Sequence, residues 1–186
     1  MIVALAGRRI DAAGSADVRF PLINQHRVGV RIAVVLERLG ADALVCAAAC
    51  GADLLALEAA AELGVRRRVV LPYEPRRFRE SSVTDRPGDW GLVYDRVIAE
   101  VSAVGDLVVM DPVQDELAYA AANRAILQEA LALATESSAA SNPADRPNVV
   151  AVIVWEGAPR GDDDMTQHFA DQARALGLHV EEVLTI

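Results

Sequence analysis

Arginines set beside hydroxyls, and turns made of small residues, are the first features of this chain that could do chemistry. Between Tyr73 and Gly88 the sequence YEPRRFRESSVTDRPG puts Arg76, Arg77, Arg79 and Arg86 among Ser81, Ser82 and Thr84. Guanidinium groups next to hydroxyls suit the oxygens of a phosphate, and a long polar loop between regular elements is often functional. Gly7-Arg8-Arg9-Ile10-Asp11 sets two cations and a carboxylate directly after an apolar run. Ala48-Ala49-Cys50-Gly51 leads into Ala52-Asp53, a small-residue turn of the kind that aims backbone N–H groups at an anion. Gly51 offers no side chain to hold a ligand away, and Asp53 would cap the helix or bind a sugar hydroxyl. Each cluster also has a plain structural reading: a lid, a solvated loop with an internal Arg–Asp pair, and an ordinary strand-to-helix turn.

Other residues extend the list. Trp90 and Tyr94 are two of very few aromatics, fit either to stack on a base or to plug the core. Tyr119 and Asn123 are four apart and so share one helix face. Glu156 to Thr166 forms a second turn into a helix. Its aspartates, Asp162 to Asp164, suit a helix N-terminus and would repel phosphate, which points this loop at a sugar or a base. Cleaving a base from a nucleotide would need a carboxylate beside an oxocarbenium-like sugar, and Glu80, Glu116 and Asp53 are the candidates. Cys46 and Cys50 read as small buried residues, and the scattered histidines give no metal spacing, so no metal or cofactor is expected.

These residues need elements to hold them. Continuous apolar runs at Ile2–Ala6, Ala43–Ala47, Val69–Leu71, Leu107–Met110 and Val149–Trp155 predict strands buried on both faces, with a last edge strand over Val180–Leu184. Helices are expected over Asn24–Leu39, from Ala52 to Gly64, from Trp90, over Asp115–Thr135, and before Gly177 with Phe169, Ala173 and Leu176 inward. Alternating strands and helices predict an α/β fold, a three-layer Rossmann-like parallel sheet of about six strands flanked by helices. The whole chain, 1–186, reads as one domain, with Glu136–Asn148 a flexible connection inside it.

Composition narrows the function classes. The hydrophobic content is 53% with only 4% aromatic, so the core is aliphatic and its helices can pack closely. A net charge of −9 argues against nucleic acid as partner but leaves room for a small anion held by local arginines. No apolar run is long enough to cross a bilayer, so no membrane partner is expected, and without a signal peptide the chain reads as cytoplasmic.

Together these segments resemble the SLOG superfamily, Rossmann-like domains that include the LOG cytokinin-activating and DprA-type proteins, and especially its bacterial signalling-associated branch. The resemblance is carried by Gly7 to Asp11, by Cys50 to Leu55 with Glu58, by Val70-Leu71-Pro72, and by Phe78 to Val83 with Asp89-Trp90. Tyr119 with Ala122-Asn123, and Trp155-Glu156-Gly157 with Gly161, Asp164 and Thr166, complete it. It implies binding of a nucleotide or a nucleotide-derived signal, ADP-ribose- or NAD-related compounds included. Gly51, Ala52 and Asp53 would then lie against phosphate or ribose, with Arg8 nearby. The implied ligand set is Gly7, Arg8, Arg9, Asp11, Gly51, Ala52, Asp53, Pro72, Arg79, Ser81, Ser82, Trp90, Tyr119, Asn123, Gly157 and Thr166, with Glu80 and Glu116 for catalysis. LOG phosphoribohydrolases carry a glycine-rich PGGxGTxxE stretch where this chain has Asp111 to Leu117 without glycine. Two other readings stand beside ligand sensing: a nucleotide N-glycosidase, and a ligand-free scaffold, such as a homodimer, that self-associates through alanine-rich helices.

Overall fold

Ile2–Gly7 forms strand β1, and its first five residues are buried because the strand has neighbours on both edges and helices on both faces. The computed structural model describes residues 1–110, 115–138, 148–161 and 163–186. The remaining strands are β2 (Ala43–Cys46), β3 (Arg66–Leu71), β4 (Leu107–Val109), β5 (Val149–Trp155) and β6 (His179–Leu184). All pair in parallel, in the order β4-β3-β2-β1-β5-β6. Between them run α1 (Gln25–Arg38), α2 (Ala52–Glu62), α3 (Pro75–Ser82), α4 (Trp90–Ala103), α5 (Asp115–Ser138) and α6 (Met165–Ala175).

The pleat sorts the core into two halves. Val3 and Leu5 of β1, with Leu44, Val69 and Val152, pack under α1, α2 and α4. Ile2, Ala4 and Ala6, with Val45, Val70 and Ile153, pack under α5 and α6. The expected three-layer α/β architecture is therefore the observed one. Alanine allows the close approach: Ala52, Ala56, Ala59 and Ala60 of α2, and Ala118, Ala122, Ala130 and Ala134 of α5, are all buried within the chain. Those alanines pack inward, while Ala61 of α2 and Ala132 of α5 stay exposed.

Three local expectations need correction. The stretch from Tyr73 to Gly88 is not one long loop, because α3 lies inside it. Pro75 starts that helix, and the Glu74 side chain accepts the backbone N–H groups of Arg76 and Arg77 at 3.0 and 3.1 Å. Its inner face is only Phe78 and Ser82, too short a pattern to stand out among the arginines. Leu176 is 52% exposed, because α6 ends at Ala175 and only Phe169, Ala170, Ala173 and Thr166 turn inward. The arginines Arg66 to Arg68 belong to β3 itself, where buried Asp106 accepts Arg66 Nη2 at 2.7 Å and Arg68 Nε at 3.0 Å. Of the expected flexible connection, residues 139–147 lie outside the described residues. No described helix is long and apolar enough to span a membrane.

Gly7 shows how tightly the end of β1 is packed. A Cβ there would stand 2.5 Å from Ala52 Cβ and 2.8 Å from Val154 Cβ. Gly7→Ala is therefore expected to destabilise the fold by about 1–3 kcal/mol through overpacking. A lower urea midpoint with an unchanged m value would show it.

Candidate functional site

A cavity of about 690 Å³ opens beyond the C-terminal ends of the strands. The chain runs from β1 outward to β4, then returns to place β5 on the other side of β1. The loops after β1 and β5 therefore diverge there, and a crevice forms at that switch point, where open parallel sheets bind ligands. Its lining includes Gly7, Arg8, Arg9, Asp11, Asp53, Pro72, Ser82, Tyr119, Asn123 and Thr166. Residues far apart in sequence thus share one hollow, as expected.

The side chains do not all do what their positions suggested. Arg8 is only 5% exposed, and its guanidinium is taken up by the protein. Nε donates to Glu156 at 2.5 Å, while Nη1 and Nη2 donate to the two oxygens of Asp164 at 2.5 and 2.7 Å. Nη2 also reaches Glu156 and the carbonyl of Ala158, and Arg19 forms a second ion pair with Glu156. Two cations and two carboxylates balance in a nearly dry network. Burial alone would raise the Asp164 carboxyl, but the bonds from Arg8 and from the N–H groups of Arg160 and Gln167 outweigh it and hold it well below the usual carboxylate range. Asp164 also caps α6, accepting the N–H groups of Thr166 and Gln167. Arg8 is thus a brace beneath the cavity rather than a free phosphate ligand. The pair expected inside its own loop is absent: Asp11 instead accepts the N–H groups of Arg19 and Phe20.

The turn before α2 is similarly closed. Ala49 N–H donates to Asp53 Oδ2 at 3.1 Å, Cys50 N–H to the Ser82 carbonyl at 3.0 Å, and Ala52 N–H to the Arg8 carbonyl at 3.1 Å. Gly51 has φ +95°, and a Cβ on it would lie 2.8 Å from the Arg8 carbonyl. Its missing side chain admits the Arg8–Ile10 backbone, not a ligand, and neither Gly51 nor Ala52 lines the cavity. Asp53 does, at 6% exposure, and burial lifts its carboxyl to about 7, only partly offset by the Ala49 N–H and the nearby Arg9 charge. Burial also pushes the Cys50 thiol up to about 11 and the Cys46 thiol well above its ordinary value, consistent with packing roles.

On the far side, α3 and α5 bring a set of hydroxyls together. Tyr119 bonds both Tyr73 and Ser82, and Tyr73 bonds Ser81. Asn123 Nδ2 donates to the Met165 carbonyl at 2.7 Å and ties α5 to α6. Arg9 bonds Asp85 and the Ser81 carbonyl, clasping the loop after β1 to the end of α3.

Several candidates lie elsewhere. Glu80 is exposed and pairs with Arg76 one turn before it on α3, and it does not line the cavity. Arg79 faces away to bond Asp95 at 2.7 Å. Ser81 does not line the cavity and reaches it through the hydroxyl set and through its carbonyl, which accepts from Arg9. Trp90 is buried with Nε1 on the Pro87 carbonyl, and Tyr94 donates to the Pro75 carbonyl, so both plug the core and neither lines the cavity. Gly157 lies beside Leu184 at the end of β6 and does not line the cavity. The side chain of Glu116 lies outside the described residues, as do Asp111 to Gln114. Arg19, Tyr73 and Arg160 escaped the sequence reading. Only Arg160 carried a usable signal, as the one cation in the turn from Glu156 to Thr166. Among the described residues its guanidinium has no ion-pair partner. No known family matches this chain, and no curated protein is significantly similar to it in sequence.

Proposed function

We propose that this protein binds a nucleotide or nucleotide-derived small molecule and acts as a ligand-recognition domain of the SLOG kind. The observation that carries this reading is the cavity at the switch point, whose volume of about 690 Å³ lies within the 300–1,000 Å³ typical of small-molecule sites. Its lining is mixed. Arg9, Arg86 and Arg160 supply positive charge for phosphate, Arg9 and Arg86 while sharing Asp85; the carboxylates Asp11, Asp17 and Asp163 stand among them; and Pro72, Phe78, Ile126 and Met165 supply apolar surface for a base. Residues from most of the segments that carry the family resemblance, among them Gly7, Asp53, Ser82, Tyr119, Asn123 and Thr166, lie around this one hollow. With Trp90 in the core, Tyr119 becomes the ring available for stacking, being 40% exposed.

A base-releasing hydrolase is the second reading, and one observation favours it. Asp53 is the only described member of the three candidate carboxylates that faces the cavity, and a carboxyl titrating near 7 suits general acid–base work. Release of free base from nucleoside monophosphates, abolished in Asp53→Asn, would establish it.

Binding is tested by thermal shift against nucleoside mono-, di- and triphosphates, NAD and ADP-ribose at millimolar concentration. A rise in midpoint with at least one of them is expected, and no rise with any would remove the proposal. Arg160→Ala should weaken the phosphorylated ligand about tenfold while leaving the unliganded midpoint unchanged, since only an exposed cation with no ion-pair partner among the described residues is lost.

A further inference from the structure

We propose that one wall of the cavity is built from hydrogen-bond acceptors and reads the vicinal diol of a ribose, so that the site selects ribonucleotides over deoxyribonucleotides. This rests on the nucleotide reading and deepens it.

The wall comes from α2, α3 and α5 and from the turn between β3 and α3. Tyr73, Ser81, Ser82 and Tyr119 close a ring of four hydroxyls, with oxygen separations of 2.8 Å (Tyr73–Ser81), 2.8 Å (Tyr73–Tyr119), 2.9 Å (Ser82–Tyr119) and 3.3 Å (Ser81–Ser82). A hydroxyl has one proton and two lone pairs. Ser81 Oγ also lies 3.5 Å from the Phe78 carbonyl, a longer contact than any within the ring; with each proton directed to its ring neighbour, each oxygen keeps one lone pair to offer. Ser82 and Tyr119 are the two members that line the cavity. Asn123 continues the pattern. Its Nδ2 donates to a carbonyl, which can only accept, so the orientation of the amide is fixed and Oδ1 is left as an acceptor with no bond to any described residue. Asp53 holds Ala49 N–H through Oδ2, and Oδ1 has no bond to any described residue. Ser82, Asp53 and Asn123 are 1%, 6% and 8% exposed, so whatever meets them is largely stripped of water.

Four acceptors on one wall disfavour a phosphate there, because phosphate oxygens also accept. Turning the Tyr119 proton toward such a group would break one bond of the ring. A diol brings two O–H donors and breaks none. Asp53 fits the same partner, since a carboxyl that titrates near neutrality can accept from a hydroxyl or donate to it. The anionic end of the ligand is then left to Arg9 and Arg160.

Calorimetric titration of the four ribonucleoside 5′-monophosphates and their 2′-deoxy counterparts tests this directly. The ribose form of whichever base binds is expected to bind about tenfold tighter, the value of one buried hydrogen bond. Tyr119→Phe, and Tyr73→Phe, which opens the ring from outside the cavity, should each bring that ratio toward one. Circular dichroism confirms folding, and the wild-type comparison stands without either variant. Equal affinity for both sugars overturns the diol wall and leaves nucleotide binding intact. A ribose preference unchanged in both variants also overturns it. Binding of none of the eight compounds removes the nucleotide reading for monophosphates and this inference with it.

Discussion

Replacing Arg8 by methionine is expected to lower the unfolding free energy by about 3–5 kcal/mol, the usual consequence of removing one partner from a buried ion pair. Asp164 is 1% exposed and Glu156 has a side chain 8% exposed, so the variant leaves two carboxylates facing each other with only Arg19 to answer them. Methionine keeps much of the volume, which makes the missing charge the main change. Urea unfolding measures the loss, and a change below about 1 kcal/mol would mean the network is not the brace described here. Asp164→Asn in the Arg8→Met background should recover part of the loss, because one of the stranded charges disappears. Position at the end of β1 suggested a phosphate ligand, but any loss of ligand binding in this variant would come through the fold.

The second large effect belongs to Asp53. Its carboxyl titrates near 7 in the folded protein, whereas an unfolded aspartate titrates near 3.9. Below about pH 4 both states hold the proton and the group is neutral toward folding. Between about pH 4 and 7 the unfolded chain has released its proton while the folded chain keeps it, so stability falls as pH rises. Above that window the penalty is complete, up to about 4 kcal/mol for roughly three units at 1.36 kcal/mol each. Asp53→Asn removes the titration while its amide oxygen still accepts the Ala49 N–H. The variant should match wild type near pH 4 and exceed it by about 2–4 kcal/mol at pH 8. Identical pH profiles for the two proteins would contradict the burial argument.

Much of the fold was legible because its signals are local. The apolar runs of β1 and β5 announced strands buried on both faces, and the small-residue turn into α2 was read within one residue of its observed start. That Asp53, Ser82, Tyr119 and Asn123 belong to one set was implied by the family resemblance, and all four line the cavity. What stayed hidden is non-local or too short to show a period. Arg8 and Asp164 are 156 positions apart, and nothing near either residue marks the other as its partner. The three aspartates before α6 suited a helix dipole, and that local fit concealed that one of them pairs with Arg8 in the loop after the neighbouring strand β1. In α3 two inward residues stand among four charged ones, so composition suggested a loop where an N-cap and a proline had set a helix. The hydroxyl ring depends on α3 and was invisible with it.

The order of the strands also constrains how the chain is made. β1 is synthesised before the other five strands of this sheet, yet one of its two edges is covered only by β5, paired from Ile2↔Val149 to Gly7↔Val154. Until that partner leaves the ribosome, the most apolar segment of the amino-terminal half carries an unprotected edge, the feature that recruits chaperones or seeds aggregation. Translation past β5 is therefore the step that covers the second edge of β1, the strand whose end, Leu5 to Gly7, lines the cavity.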